Sequence, residues 1–319
     1  MINLRYHIVS LVAVFLALAI GIVVGSTVLK EGTVAVLRTT SNGLIKESEQ
    51  RRAENRVLQG RVKAYETFGT AVLSDLARDR LKGRTAVLLD TDRVDDPTRK
   101  HVEDALRAAG ADVDGRLTFA SDRLGLAAEG DRTALNALLE TDQADPDELR
   151  RSLADRLADR LANPSRLPRN ANRTGDLLTG LDDAKFLTDL KLSDRAMQDG
   201  TVPFPRTGSM FVVIGPTDNP PALDPLTFLV PLADRLSVRA APAPVVGVEA
   251  AAPGGLSWVE KLRGARDVPD RVSTVDAVDQ VYGQLALVEA LQRRWQNEPT
   301  GHYGTKAKVT GLLPEGAQR

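Results

Sequence analysis

Between Ile8 and Leu29 the chain reads IVSLVAVFLALAIGIVVGSTVL, twenty-two residues without a charged side chain. About 20 apolar helical residues cross the hydrocarbon core of a bilayer, where the backbone must satisfy its own hydrogen bonds. The stretch therefore reads as a membrane span, and residues 1–32 as a transmembrane anchor. The alternative is a cleaved signal peptide, whose apolar region is shorter, about 7–15 residues, and ends at a small-residue cleavage site. Here the small pair Ala17 and Ala19 falls in mid-segment, and there is no cysteine for a lipid anchor. Arg5 precedes the span and Lys30, beside Glu31, follows it, so the basic residues give little orientation. A seven-residue leader before a long body suits an amino terminus inside and a body outside the cytoplasm. Gly21 and Gly25 form a G-x-x-x-G pair, which lets membrane helices approach closely.

Behind the span the apolar residues recur in sevens. Val34, Ser41, Ser48, Asn55, Val62, Gly69 and Leu76 form one series, and Leu37, Leu44, Arg51, Leu58, Tyr65 and Val72 a second, offset by three. These are the a and d positions of a heptad, which give residues 33–82 the pattern of a coiled-coil stalk. Forty-three residues from Val34 to Leu76, rising about 1.5 Å each, make a rod of about 65 Å. Asn55 falls at an a position, where a buried asparagine costs stability but pairs with its copy and fixes register and strand number. A parallel homodimer is the expectation, with Val34, Leu37, Leu44, Asn55, Leu58, Val62, Tyr65 and Val72 at its interface. The competing reading is a lone surface helix that shares the spacing, since Ser41, Ser48, Arg51 and Gly69 interrupt the seam.

Past residue 82 the period changes. RTAVLLD (84–90) is a short apolar run ending in a carboxylate, and residues 97–109 carry Val102, Leu106 and Ala109 on one helical face. Further strands are expected at 113–119, 210–215 (MFVVIG), 244–249 (PVVGVE) and 272–276, with helices at 225–239 and 277–294. Strands alternating with helices imply an α/β fold, a doubly wound and mostly parallel sheet spanning residues 83–294. Leu149, Leu153, Leu157 and Leu161 stripe a charged helix, expected to pack on this sheet, with a partner-binding helix as the alternative. Residues 163–174 and 201–208 read as loops, and 295–319 as a tail without periodicity.

The formal net charge is −1, from 42 Lys and Arg against 43 Asp and Glu, so no overall field favours nucleic acid. With no cysteine there are no disulfides, thiolate metal sites or cysteine nucleophiles. Open α/β sheets bind ligands at the carboxyl ends of their strands. After the first strand stands DTDRVDDP, which lacks the glycines of a dinucleotide fingerprint or a P-loop. After a later one stands IGPTDNPP, with one glycine and three prolines and few N–H groups to offer a phosphate. No G-x-S-x-G or H-E-x-x-H occurs, so no catalytic residue or cofactor site is assigned and the chain reads as a non-enzyme. Weak metal candidates are Asp90 and Asp92, a hard-oxygen pair suited to Mg²⁺ and so to a Mg²⁺-dependent hydrolase, and the histidines His101 and His302. For the aspartates the plainer reading is a pair of solvated carboxylates capping a strand and the next helix.

The opening MINLRYHIVSLVAVFLALAIGIVVGS, the heptads behind it, RTAVLLD, the late VSTVDAVDQVYGQLALVEAL and the tail HYGTK together resemble the MctB family of bacterial envelope proteins. The resemblance runs almost end to end, and it implies a role in copper transport or homeostasis. Related members called SteB imply instead cell-envelope biogenesis and control of cell-wall hydrolases with a membrane partner, SteA. The residues weigh these two implications. Cu(I) favours thiolate and thioether ligands and Cu(II) imidazole, whereas this chain has no Cys, three His and three Met, one of them Met1. Met210 opens an expected buried strand, where it fills core, and Met197 lies thirteen residues before it. One uncharged span per chain lines no pore, and about five short buried strands make no spanning barrel. The expectation is therefore a bilayer-anchored dimeric scaffold or regulator of envelope components, with copper transport as the alternative.

Overall fold

The computed structural model describes residues 4–164, 176–192, 203–217, 223–251 and 257–314, with the side chains of 4–5 and 26–38 left aside. Val34 and Leu37 of the heptad series, and Met197, lie outside the described side chains and residues. The chain divides into two units, residues 1–65 and 66–319.

In the first unit a single helix dominates. Helix α1 (Leu4–Ala77) contains no proline to interrupt its hydrogen bonds, and glycines at 21, 25, 43 and 60 are absorbed without a break. Tyr6–Gly25 is long and apolar enough to cross a membrane, and none of it is buried against the rest of the chain. Further on, Leu44, Asn55, Leu58, Val62 and Tyr65 all stand exposed on the helix.

The second unit begins with the end of that helix. Gly69, Leu73 and Ala77, spaced by four, turn one row toward the body. A Cβ on Gly69 would sit 2.8 Å from Cγ2 of Val281, so the glycine is what lets the helix lie this close. Asp79 and Gly83 then adopt left-handed conformations, φ 61° and 73°, and turn the chain into the sheet. In order follow β1 (Thr85–Thr91), α2 (Asp96–Ala108), β2 (Asp112–Phe119), α3 (Ser121–Leu124), α4 (Glu129–Leu139), α5 (Pro146–Ala162), α6 (Leu177–Asp183) and β3 (Leu187–Leu192). They are succeeded by β4 (Met210–Ile214), α7 (Leu229–Arg239), β5 (Val245–Val248), α8 (Trp258–Gly264), β6 (Ser273–Val275), α9 (Val281–Trp295) and β7 (His302–Tyr303).

Local chemistry starts the helices. Asp95 accepts from Thr98 N at 2.8 Å to cap α2, Asp145 caps α5 ahead of Pro146, and Ser257 caps α8. Among the described residues seven strands run in the order β3-β2-β1-β4-β5-β6-β7, each parallel to its neighbour except β3, which is antiparallel to β2. Alternation along the strands separates two cores. Val87, Leu89, Phe211 and Val213 face α5, α7 and α8, whereas Ala86, Leu88, Met210 and Val212 face α2, α9 and the end of α1. The leucine stripe of α5 lies in the first of these cores.

The fold is thus a mixed α/β body on a mostly parallel sheet, with one apolar N-terminal helix. The five expected strands are present, and two more join them. Strand β3 mixes apolar with polar residues at a half-exposed edge, so it lacks the buried β-branched signature of the others. Strand β7 has two residues and draws on the segment assigned to the tail. Two helices start four residues late, because Asp224 first holds a turn through Leu226 N and Thr227 N, and Ala277 takes a left-handed conformation at φ 61°.

One close approach shapes the strand ends. Trp258 lies across Gly215 at the end of β4 and Gly247 in β5, and its indole N–H donates to Val248 O at 2.8 Å. A Cβ on Gly215 would overlap the indole ring. Gly215→Ala is expected to lower the unfolding free energy by about 1–3 kcal/mol, as overpacking does. Chemical denaturation checks this, and with Trp258→Leu added the combined loss is expected to be smaller than the sum of the two.

Candidate functional site

Three parallel strands end in a buried carboxylate: Asp90 on β1, Glu249 after β5 and Asp276 after β6. These are the ends at which an open parallel sheet offers a ligand site, above all where the chain order turns back, here between β1 and β4. Among the described residues, the chain crosses that crevice at Thr217. Thr217, beyond β4, donates its N–H to Arg93 O at 3.0 Å, and its hydroxyl accepts from Asp95 N at 3.0 Å. Trp258 covers the neighbouring ends of β4 and β5.

At β5, β6 and β7 the carboxylates organise a network. Asp276 and Arg263 pair at 3.1 Å with no solvent exposure on either side chain. Asp276 also accepts from Thr305 N at 2.7 Å and Lys306 N at 3.2 Å. Gly304, at φ 127°, passes so close to this carboxylate that a Cβ there would overlap it. Arg263, on α8, spreads its remaining donors over Thr274 Oγ1 at 2.7 Å, Tyr303 O at 3.0 Å and Ala307 O at 3.0 Å. Burial pulls its pKa down, with Asp276 opposing. Glu249 takes Lys306 Nζ at 2.6 Å, Val259 N at 3.3 Å and the Ser257 hydroxyl. In this way acids on three elements, Glu249, Asp276 and Glu260, bind residues 305–307 down across the strand ends, Glu260 through Ala307 N at 2.9 Å. The charges are matched within the chain, so the arrangement holds a segment in place.

The residues singled out from sequence are dispersed. Asp90 is fully buried and takes Arg99 Nε at 2.6 Å; burial raises its pKa, with Thr118 and Arg99 opposing. Asp92, two residues on, accepts from Ser121 N at 3.1 Å and so holds the start of α3. His101 lies on α2, with Nδ1 buried and without a hydrogen-bond partner. His302, on β7, bonds through Nδ1 to Thr274 Oγ1 at 2.8 Å and thereby touches the Arg263 network. Among the described residues no three His, Cys, Asp or Glu side chains form a group able to hold a metal ion. Met210 is buried in β4, within the core shared with α2 and α9. Sequence reading overlooked Glu249, Asp276, Arg263 and Lys306. The usable signal was the acidic residue closing both PVVGVE and VSTVD, together with the tail residues HYGTK.

Two outcomes follow for stability. Asp276→Asn leaves the Arg263 guanidinium buried without its counter-charge and is expected to lose about 3–5 kcal/mol in thermal or denaturant unfolding. For His302, burial lowers the pKa below its ordinary 6.5, with Arg263 contributing. The folded state therefore prefers the neutral ring, and the stability this lends is complete above the unfolded value and lost as pH falls through the folded one. His302→Asn is expected to flatten the decline of stability below about pH 6.5 in a pH series of melting temperatures.

Comparison with known proteins adds a relationship across nearly the whole chain. Proteins named copper transporter MctB from Mycobacterium bovis and Mycobacterium tuberculosis are 25% identical to it over 313 residues, covering 96% of this chain and 96% of theirs. The profile of a family described as copper transport outer membrane protein, MctB, matches residues 1–314. With that match running from the apolar helix through the segment clamped across the strand ends, the chain belongs to the MctB family.

Proposed function

We infer that this chain is a membrane-anchored envelope protein whose role is to scaffold or regulate other envelope components. In this reading the apolar part of α1 is the anchor, two copies pair through the heptads of residues 33–82, and a doubly wound α/β body stands outside the cytoplasm. The body binds partners through its surface and carries out no reaction of its own. A SteA-like membrane partner or a regulator of cell-wall hydrolases is the kind of component it would meet. The observation that carries the reading is the occupancy of the strand ends. Trp258, Thr217 and residues 305–307 take the places at which a sheet of this kind would receive a small substrate.

The relatives' name supports a second reading, copper transport or copper homeostasis. Copper would then be cargo, and its donors would have to come from three histidines, two methionines beyond Met1 and carboxylates. His302 Nδ1 is engaged by Thr274, and Met210 is core. The two readings separate in a null strain complemented with a variant carrying His101→Ala, His302→Asn, Met197→Leu and Met210→Leu. Scaffolding predicts wild-type wall integrity and copper tolerance from this variant at a wild-type protein level. Loss of copper tolerance with an intact wall would overturn the scaffold reading in favour of copper handling.

A further inference from the structure

The last turns of α1 lie along α9, and their contacts advance in the same direction on both. Gly69 meets Val281 at the start of α9, and Arg80, in the turn after α1, reaches Glu289 and Gln292 toward its end. The rows Gly69, Leu73, Ala77, Arg80 and Val281, Leu285, Glu289, Gln292 have the same spacing of about one helical turn. Leu73, Ala77 and Leu285 belong to one core. Of these eight residues Arg80 and Glu289 alone bear a charge. Glu289 is a costly member of such a seam. Its side chain is 7% exposed, on a helix whose residues from Gly283 to Leu291 are all buried. Arg80 divides its donors, with Nε on Leu76 O at 2.5 Å and Nη1 shared with Gln292 Oε1 at 3.2 Å. Arg293, the other cation acting on Glu289, is paired with Glu298 at 2.7 Å. Burial therefore outweighs pairing and pushes the Glu289 carboxyl above the ordinary carboxylate value, with Arg80 and Arg293 opposing and Glu298 adding.

We propose that Glu289 is a proton-operated fastener between the end of α1 and the body, so that the last turns of α1 are held on α9 more firmly as pH falls. The sign follows from what the carboxyl meets in each state. With α1 docked it is shut from water, and with α1 lifted from α9 it opens to water and to its ordinary affinity for a proton. A group that binds its proton more readily in the docked state favours docking as pH falls through the docked value. The gain is complete below the undocked value and is lost as pH rises past the docked one. In acid the neutral carboxyl joins a seam of Gly, Leu, Ala and Val without the cost of a buried charge, and Arg80 keeps Leu76 O and Gln292 as acceptors. The fastener lies within one chain and needs no second copy.

The test is amide hydrogen exchange of the full chain in lipid nanodiscs, read by mass spectrometry at about pH 7.5 and about pH 5 and corrected for the intrinsic pH dependence of exchange. In the wild type, exchange of residues 69–77 is expected to slow several-fold at the lower pH, beyond any change in β4. Exchange there that is unchanged or faster in acid overturns the proposal. Glu289→Gln, neutral throughout, is expected to show at about pH 7.5 the slow exchange that the wild type reaches in acid, with no further pH dependence. A variant that is looser at both pH values, or that keeps the wild-type pH dependence, overturns it, because the ion pair or another group would then be responsible. Arg80→Met supplies a second arm should the first variant fold poorly. Without its counter-charge Glu289 is expected to loosen residues 69–77 several-fold at about pH 7.5 and to recover at about pH 5, a recovery that mere loss of a contact would not give. Exchange that stays fast in acid overturns the proposal.

Discussion

An arginine and an aspartate with no access to water hold the carboxyl side of this sheet together. Burying either charge alone would be prohibitive, and burying both is tolerable because Arg263 and Asp276 meet and each nitrogen and oxygen of the two charged groups finds at least one partner. Satisfying Asp276 requires backbone N–H groups from Thr305 and Lys306, and satisfying Arg263 requires carbonyls from Tyr303 and Ala307. The position of the chain after β7 is therefore a consequence of one ion pair. Lys306 reaches Glu249 only because that backbone is already fixed. Close packing imposes the complementary demand for glycine at 304, where the chain passes the carboxylate.

Most of the sheet was legible because parallel strands buried on both faces have few ways to be written. AVLLD, MFVVI and VVGV are apolar nearly throughout, and the residues before and after them break the run. Strand β3 was not legible, since LTDLKL mixes Leu with Thr, Asp and Lys in the way many exposed helices do. Strand β7 could not have been, because two residues carry no period; it exists through hydrogen bonds to β6 and the network beneath it. The late starts of α7 and α9 have the same origin, a turn chemistry that competes locally with the helix.

The strand-end cluster was half legible. Three strands closing in an acidic residue is a pattern visible in the sequence, but whether such a carboxylate meets solvent, metal or arginine depends on groups far along the chain. Arg99 answers Asp90 from nine residues away, whereas Lys306 answers Glu249 from fifty-seven. Family membership came through a different signal, the near end-to-end match, which a two-residue strand or a single ion pair could not have supplied. At the strand ends themselves, Glu249 is engaged by Lys306 and Asp276 by Arg263.

Strand β7 forms one edge of the sheet, and the chain returns to it, with Tyr303 bridged to Gly311, Gly304 N donating to Gly311 O at 3.0 Å and Thr310 N donating to His302 O at 2.7 Å. Unpaired strand edges recruit other strands, and proteins blunt them with covering segments. The residues around 304–311 act as this sheet's built-in stopper. A chain ending shortly before Gly311 would lose Leu313 from the edge of the second core and leave bare N–H and C=O groups along β7. Such a chain would offer that edge to a strand of another copy.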